Sequence, residues 1–489
     1  MRVPAPILAT LVAVGLGCAV RFIPWHESES IRAGAAIVVG ALVLWISECA
    51  PLGVVALLIP VAATLSGVLS WREALTAWGD PIIILFLAAF LLARALDKFG
   101  ALDWVGRAAL RKSGTASNLR ACLIVLLISG ALSTFQNNTA VTAMLLPVTV
   151  TIARRTNMPA LPLLALSLGA TFGGMAAPVG TAPNFLGYGK IRELDAGFSF
   201  ITWLRVGVPV WLGTTVLAAG VLTLTGVLAR RWMAGRPALD PLAVRPAGDA
   251  DAGLDARRRG VEGLPADELR RGRWAAVVAA LIVVAAWLTI GVIKSVVAPG
   301  GPESKWIDRY LPESLVALIV AWPLFMIPVG PSRRRLLERH DFQSLDWDTL
   351  FLIAGGLCLG KALDDSGGAA ALARAVEQLQ APPLLLMLAL GGVTVVLSEL
   401  TSNTATASLL VPIAGALAPA LGMTPVDAIW LVALCASLGF ALPISTPPNA
   451  IVYGTGLVPI RLMLAVGIVV DVLALLWVVA CVKWFAPGA

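Results

Sequence analysis

Two short polar segments interrupt apolar stretches of the chain: Asn137-Asn138-Thr139 and Ser402-Asn403-Thr404. Their side chains offer hydroxyl groups and amides, and the amides have both donor and acceptor ends. The donors suit carboxylate oxygens, and the acceptors suit a small cation. Because neither segment contains Lys or Arg, a bound dianion needs co-bound cations to balance its charge. The segments also lack a titratable group, so sodium fits them better than a proton.

The two polar segments belong to a longer repeat. Asn403 follows Asn138 by 265 residues (403 − 138), and the same offset relates further identical residues. The repeated residues in the first copy are Pro147, Pro178, Thr181, Pro183, Asn184, Tyr188 and Gly189. So many matches at one offset indicate a duplicated unit that places two polar tips around one site.

The composition is that of a polytopic membrane protein. Of the 489 residues, 58% are apolar and 13% are charged, with a mean hydropathy of +0.87. The six cysteines form no CxxC pair, and the chain has two histidines, His26 and His340. These residues are too few to favour a zinc enzyme or a His-based catalytic triad. The net charge of +7 fits basic cytoplasmic loops better than binding of nucleic acid, which we do not expect as a partner.

Apolar segments long enough to cross a bilayer recur along the chain. We predict an all-α polytopic membrane protein with about 11 transmembrane helices. The apolar run that begins at Ala5 is interpreted as an uncleaved first span rather than as a signal peptide. Residues 98–118 are predicted to be an interfacial amphipathic helix, and the polar segment 230–273 a flexible cytoplasmic linker.

The polar tips divide apolar runs into arms too short to span a bilayer. With basic residues at both ends of 120–153, the pattern predicts a re-entrant helical hairpin with Asn137-Asn138-Thr139 at its tip. A single long span with a polar kink is the alternative. Residues 382–420 are predicted to form a second hairpin. Proline-rich breaks at 178–184 and 443–449 interrupt the span after each hairpin, which is tolerated at membrane depth only beside a protein or aqueous cavity.

With the N-terminus taken as cytoplasmic, counting crossings places the C-terminus outside and makes the two repeats inverted. Inverted repeats with discontinuous helices that meet at mid-membrane are typical of secondary transporters. The cell (inner) membrane is the expected location. Glu399 is interpreted as a structural residue hydrogen-bonded within the second hairpin, and Arg94 and Lys361 as residues that reach toward the interface, with a gating role as the alternative.

At these paired motifs the chain resembles the divalent anion/sodium symporter family, which carries dicarboxylates, citrate and sulfate. The resemblance covers essentially the whole chain and implies a homodimer with an elevator mechanism, with sodium as the coupling ion and no cofactor. Together with the predicted interfacial helix (98–118) and linker (230–273), it divides the chain into scaffold spans 1–4 (1–97), the first hairpin with spans 5 and 6 (119–229), scaffold spans 7–9 with a connecting helix (274–380), and the second hairpin with spans 10 and 11 (381–489).

The resemblance also implies which residues bind. The substrate is held by Asn137, Asn138, Thr139, Ser402, Asn403 and Thr404, with Thr446 and Pro447 beside them. One sodium lies near Ser133, Asn137, Asn138 and Gly180, and its mirror image near Ser398, Thr401, Asn403 and Ser445. The chain departs from the family pattern at Asn137, where Ser is usual, and at Ala182, where Pro is usual.

Several other functions stay open at this point. Some relatives exchange dicarboxylates without sodium. An arsenite or sodium/proton antiporter of related repeat design is a second alternative, for which Asp471 and Glu399 are the candidate mid-membrane proton carriers. An intramembrane enzyme is disfavoured because its usual nucleophile and metal motifs are missing from the sequence. The leading hypothesis is a sodium-coupled carrier of small divalent anions such as succinate, citrate or sulfate.

Overall fold

The fold is known from a computed structural model, which describes residues 5–47, 49–101, 118–154, 156, 158–195, 197–233, 264–297 and 301–486. In these ranges the regular structure is helical, apart from one isolated β-bridge between Pro328 and Arg335. Before the first tip the α-helices are α1 Ala5–Phe22, α2 Glu29–Ser47, α3 Leu52–Ala56, α4 Leu58–Leu65, α5 Trp71–Leu75, α6 Pro81–Lys98 and α7 Asn118–Ser133.

The remaining helices follow the same pattern of long apolar helices and short pieces. They are α8 Asn138–Ala153, α9 Ala160–Ala176, α10 Ala182–Leu194, α11 Phe200–Met233, α12 Ala266–Val296, α13 Pro302–Tyr310, α14 Glu313–Ala321, α15 Arg339–Gln343, α16 Trp347–Asp365, α17 Gly368–Glu377, α18 Pro383–Leu400, α19 Asn403–Leu417, α20 Pro425–Cys435, α21 Pro447–Gly454 and α22 Ile460–Phe485.

Six of the described helical segments are long and apolar enough to cross a membrane: those that contain α2, α6, α11, α12, α18 and α22. Large apolar side chains on these helices face outward, among them Ile282 and Val469, as expected for contact with lipid rather than water. The prediction of an all-α membrane protein is confirmed. The count of about 11 spans and the re-entrant position of the hairpins stay predictions.

Each polar tip is a true helix break at which the chain turns back. α7 and α8 have 16 residues each and both pack against α9, which has 17 residues. Two collinear arms of that size would extend roughly 48 Å, about twice the length of α9, at 1.5 Å per residue. The arms therefore fold back on each other, and α18 and α19 pack on α20 in the same way.

The two repeats interlock at the centre of the molecule. The short helix after each break packs on the hairpin arm of the other repeat: α10 contacts α19, and α21 contacts α8. α9 is buried along its whole length, and most of α20 is buried too. Trp203 and Trp430 stack between the repeats with their ring centroids 4.0 Å apart. This interlocked core holds the two tips and the two breaks together.

The second break is longer than its sequence suggests. α9 continues to Ala176, and residue 441 is the equivalent position in the second repeat, but α20 already ends at Cys435. Gly439 has a φ of +153°, which interrupts the helix. The predicted break at 443–449 therefore begins about seven residues earlier. The amides of Phe440 and Ala441, which a longer helix would use, bond to acidic side chains instead.

Two predicted boundaries differ from the structure or lie outside it. α12 begins at Ala266, so the last residues of the predicted linker 230–273 are helical. Pro265 precedes the helix, and Asp267 and Glu268 lie in its first turn, where acidic side chains favour helix formation. Most of the predicted interfacial helix 98–118 and of the linker falls at 102–117 and 234–263, outside the described residues.

Candidate functional site

One cavity of about 1000 Å³ lies between the two repeats and the neighbouring helices α6, α12 and α16. Both tips and both breaks line it, so all the residues expected to bind substrate face the same space. They are Asn137, Asn138, Thr139, Ser402, Asn403, Thr404, Thr446 and Pro447. Gly180 and Ser445 from the two expected sodium sites also line the cavity, whereas Ser133, Ser398 and Thr401 are buried behind the tips.

Four helices begin at the wall of this cavity. α8 begins after Asn137, α10 after Thr181, α19 after Ser402 and α21 after Thr446, and all four of these N-cap residues line the cavity. A helix N-terminus carries about half a positive charge. The α8 and α19 termini also present N–H groups, whereas α21 begins with Pro447 and Pro448, which have none. The arrangement favours a negatively charged ligand without any basic side chain from the tips.

The same hydrogen bond fixes the central asparagine in both tips. The Ser133 hydroxyl donates to Asn138 Oδ1 over 2.7 Å, and the Ser398 hydroxyl donates to Asn403 Oδ1 over 2.7 Å. With Oδ1 held in this way, each amide has a fixed orientation and presents its Nδ2 donors elsewhere. The sequence repeat is thus also a repeat of geometry.

The first residues of the two tips, Asn137 and Ser402, differ in their hydrogen bonds as well as in residue type. Asn137 Oδ1 caps α8 by accepting from the Thr139 amide over 2.8 Å, which is a typical N-cap bond. Ser402 stands in the same place but makes no side-chain cap bond to α19. At Asn137 the usual Ser is thus replaced by an amide whose oxygen already accepts a hydrogen bond from the first helix turn. The Ser402 hydroxyl in the second tip makes no such bond.

Two buried asparagines hold the broken spans in shape. Asn184 Nδ2 donates to the carbonyls of Gly174 and Ala177 over 2.9 and 2.8 Å, and Asn449 Nδ2 donates to the carbonyls of Gly439 and Leu442 over 3.1 and 3.0 Å. A helix break leaves carbonyls without their usual donors, and burial makes that costly. These asparagines replace the lost donors, which explains why the Pro-Asn pair recurs in both repeats.

Gly174 lets the first tip approach the first break. A Cβ at this position would lie 2.4 Å from Asn138 Oδ1, and a Cβ at Gly180 would lie 2.2 Å from the Gly174 carbonyl oxygen. The close neighbour of Gly174 is thus the amide of the tip.

Glu399 bonds outside its own hairpin, so the expectation of bonding within the hairpin is wrong. Its carboxylate accepts from the amides of Ala441 over 2.7 Å and Leu442 over 3.2 Å and from the Ser445 hydroxyl. The Ser445 hydroxyl, expected at the second sodium, is thereby engaged with an acid. The Thr401 hydroxyl bonds to the Leu397 carbonyl and lies 2.9 Å from the Thr406 hydroxyl, within the hairpin.

Charged residues line the cavity away from the tips, at positions that were not predicted to bind substrate or sodium. Arg94 on α6 is a lining residue, and it is largely buried rather than extended to the interface. Its Nε donates to Asp341 Oδ1 over 3.0 Å, and Lys98 Nζ donates to Asp341 Oδ2 over 2.7 Å. Lys361 follows Arg94 by 267 residues (361 − 94), and Lys361-Ala362-Leu363-Asp364 repeats Arg94-Ala95-Leu96-Asp97. Lys361 is half exposed and pairs with Asp365 over 3.2 Å. Their matching positions in the repeat were the available signal.

The fold and the site define a helical membrane transport protein rather than an enzyme. A family model described as "Citrate transporter" (CitMHS) matches residues 42–436. The chain belongs to this citrate transporter family, and the expected relationship to the divalent anion/sodium symporters is confirmed.

Individual relatives agree with this assignment. The chain is 28% identical over 465 residues to the sodium-dependent dicarboxylate transporter SdcS of Staphylococcus aureus strain MRSA252, covering 91% of this chain and 84% of that protein. The same protein of strain USA300 matches equally. The solved structure of the YdaH transporter of Alcanivorax borkumensis has a TM-score of 0.58 at 16% identity, covering 98% of each chain. That likeness concerns the fold.

Proposed function

We propose that this protein is a sodium-coupled carrier of small divalent anions, such as C4-dicarboxylates, citrate or sulfate. The observation that carries the proposal is the convergence of four helix N-termini and two amide tips on one cavity. Such a site attracts an anion by its N–H groups and dipoles. The relatives named as sodium-dependent dicarboxylate transporters support both the substrate class and the coupling ion.

The co-bound sodium ions are proposed at two mirror-related positions. The first uses Ser133, Asn137, Asn138 and Gly180, and the second uses Ser398, Thr401, Asn403 and Ser445. Hydroxyl, amide and carbonyl oxygens are suitable ligands for a hard cation. A dianion between them then experiences a neutral surrounding, and neither ion is stable in the cavity alone. This mutual dependence is the physical basis of coupling.

Movement is proposed to follow an elevator mechanism in a homodimer. The hairpins α7–α8 and α18–α19, with α9–α11 and α20–α22, form the mobile unit, and α1–α6 with α12–α17 form the scaffold. The protein is placed in the cell membrane with a cytoplasmic N-terminus and an external C-terminus. The contacts of α10 with α19 and of α21 with α8 support treating both repeats of the mobile unit as one body.

Uptake of labelled succinate into proteoliposomes tests the proposal. An inward sodium gradient is expected to drive accumulation, and both Asn138→Ala and Asn403→Ala are expected to abolish it while the protein still folds. Thr289→Ala is the matched control, because its exposed hydroxyl bonds only to the Ala285 carbonyl of its own helix. Normal uptake in both asparagine variants would refute the site.

A sodium-independent exchanger is the alternative that the same experiment separates. If uptake is the same with and without sodium but requires unlabelled dicarboxylate inside the vesicles, the protein is an exchanger rather than a sodium-coupled carrier. Sulfate, citrate and arsenite as competitors then define the substrate class, and internal acidification would point to a sodium/proton antiporter.

A further inference from the structure

A second pocket, of about 390 Å³, lies between the first turns of α12 and the loop that follows α14. Arg271, Gly272 and Ala275 line it from α12, and residues 327–331 with Leu336 line it from the loop. None of the residues that line this pocket also lines the central cavity. The pocket is therefore a separate place in the fold, which the proposed binding of the transported anion does not use.

The loop is a tight hairpin that is fixed on α12. Within it, the Val329 amide donates to the Arg334 carbonyl over 2.8 Å. At its turn, the buried Glu268 carboxylate of α12 accepts from the Ser332 amide over 3.0 Å and from the Ser332 hydroxyl. A Cβ at Gly330 would lie 2.6 Å from Glu268 Cγ, so the two segments approach closely. These contacts hold the hairpin in one position relative to α12.

The two segments that form the pocket are strongly basic. Residues 267–275 and 327–336 contain two acids and six arginines, which are Arg270, Arg271, Arg273, Arg333, Arg334 and Arg335. Of the acids, Glu268 is engaged by Ser332, and the half-exposed Asp267 lies 3.9 Å from an Arg271 side chain that is 63% exposed. Such an exposed pair neutralises the arginine only weakly. A guanidinium group binds a phosphate through two parallel hydrogen bonds, so the pocket suits a phosphate ligand.

Apolar side chains continue from the pocket along α12. Ala275, Val278 and Ile282 follow Arg271 at spacings of four, three and four residues, and they therefore share one helix face. Val278 and Ile282 are exposed, and Ala275 is half-buried at the pocket. This face thus begins with a basic residue and goes on as apolar surface.

The partner wall shows the same change from basic to apolar. α14 packs against α12 in the opposite direction: Trp287 Nε1 donates to the carbonyl of Glu313 at the start of α14 over 3.1 Å, and the chain returns to the start of α12 at Ser332. The outward apolar side chains of α14 and of the turns after it are Ile319, Trp322, Met326 and Ile327. A basic pocket at the end of an apolar helix surface matches a lipid, whose charged headgroup ends two apolar chains.

We propose that this pocket binds the headgroup of an anionic phospholipid such as phosphatidylglycerol, with the acyl chains against the outward surface of α12 and α14. Arg271 holds the phosphate, and the neighbouring arginines supply the positive surrounding. Basic pockets between membrane helices bind anionic headgroups in this way. Membrane orientation by itself requires arginines near the span ends, but it does not require a hairpin fixed by a buried glutamate. The site rests on the membrane class of the protein and not on its proposed transport function.

Native mass spectrometry of the full-length protein in detergent tests the site. The wild type is expected to retain dioleoylphosphatidylglycerol at one site per chain, and Arg271→Gln is expected to weaken this binding about tenfold, because a charge-assisted contact is lost. Arg374→Gln is the matched control, since it removes the same charge from an exposed residue of α17, which packs on α2, α16 and α19. Equal affinities of the two variants would overturn the proposal.

A second variant separates the pocket from a diffuse attraction to the arginines. Ala275→Leu fills the pocket without changing any charge, and leucine is nearly as good a helix former as alanine. It is expected to weaken binding of the lipid as much as Arg271→Gln does, and it keeps the test valid if Arg271→Gln does not fold. Unchanged affinity in Ala275→Leu would show that no headgroup enters the pocket.

Two further probes identify the occupant. Dioleoylphosphatidylcholine has the same chains and phosphate but no net charge, and it is expected to bind at least about tenfold more weakly. Inorganic phosphate in excess is expected to leave phosphatidylglycerol bound, because it cannot contact the apolar surface. Equal binding of the two lipids, or displacement of the lipid by inorganic phosphate, would overturn the assignment to an anionic phospholipid.

Thermal unfolding gives an independent readout. A ligand that binds only the folded protein raises its melting temperature. Phosphatidylglycerol is therefore expected to raise the melting temperature of the wild type and of Arg374→Gln, but not that of Arg271→Gln or Ala275→Leu. The same rise in all four proteins would mean that the lipid acts elsewhere.

Discussion

Asn184 and Asn449 show how a single residue type makes a broken span possible. Each donates two hydrogen bonds to carbonyls that the break would otherwise leave unpaired. Their remaining oxygens differ. Asn449 Oδ1 accepts from the Ser167 hydroxyl, whereas Asn184 Oδ1 has no partner among the described residues. The equivalent of Ser167 in the second repeat is Val432, so the missing hydroxyl has a local cause.

Replacement of these asparagines is expected to destabilise the protein strongly. Asn184→Ala and Asn449→Ala each leave two buried carbonyls without donors, at roughly 1–3 kcal/mol per group. Ser167→Ala leaves only Asn449 Oδ1 unpaired and is expected to cost about half as much. Melting temperatures of the detergent-purified variants measure these differences.

The control for this series is Thr289→Ala, whose exposed hydroxyl bonds within its own helix. Exposed substitutions of this kind usually change stability by less than about 0.5 kcal/mol. If the asparagine variants melted at the same temperature as Thr289→Ala, the two amides would not be the support of the breaks.

At the scale of elements, α16 of the proposed scaffold packs closely on α19 of the proposed mobile unit. A Cβ at Gly356 would lie 2.7 Å from Ser408 Cβ, and a Cβ at Gly360 would lie 2.3 Å from Pro412 Cβ. The two glycines are four residues apart and therefore share a helix face. Small residues at such a spacing allow two helices in a membrane to approach closely.

Enlarging this contact is expected to hinder the carrier. Gly360→Ala forces α16 and α19 apart, at a cost of about 1–3 kcal/mol for overpacking, and it should reduce uptake together with the melting temperature. Gly392→Ala is the matched helical control, since its Cβ would meet only Leu475 Cδ2 at 4.0 Å. Alanine is the better helix former by about 1 kcal/mol, so this variant should be at least as stable as the wild type. Equal changes of uptake and melting temperature in Gly360→Ala and Gly392→Ala would contradict the close contact of α16 with α19.

At the scale of the whole molecule, a cluster of charged and hydrogen-bonded side chains connects the short helix α10 to the neighbouring helices. Glu313 on α14 accepts from the Tyr188 hydroxyl, from the Phe200 amide over 3.2 Å and from Arg192 over 3.3 Å. Arg192 also pairs with Asp308 over 3.4 Å. Because α14 belongs to the proposed scaffold and α10 to the mobile unit, an elevator movement has to break this cluster.

The proposed topology gives a prediction that concerns the entire chain. With 11 crossings, an odd number, the termini lie on opposite sides of the membrane. A green fluorescent protein fused to the C-terminus is expected to stay dark outside the cytoplasm, whereas an alkaline phosphatase fusion there should be active. Insertion of the same fluorescent protein within the linker 230–273 is the control and should fluoresce. A fluorescent C-terminal fusion would mean an even number of crossings.

The sequence by itself determined the membrane class, the helical fold, both tips, both breaks and the family. The physical reason is that a polar or proline-rich segment inside an apolar run is costly in a membrane. Each such segment can therefore be recognised from the local sequence as a functional one. The constant offset of 265 residues then paired them. The hydrogen bonds Ser133–Asn138 and Ser398–Asn403 lie within one hairpin each, which is why sequence spacing could find these residues.

Only the tertiary structure decided which distant residues meet. Ser167 reaches Asn449 across 282 positions, Arg94 turns toward Asp341, and Asp471 and Glu399 accept from neighbouring amides of the second break. Such contacts depend on how whole helices pack and leave no periodic pattern in the chain. Glu399 and Asp471 could be recognised singly as acids within apolar spans. Only the close approach of α22 at Gly467 brings both of them to neighbouring backbone amides of the second break.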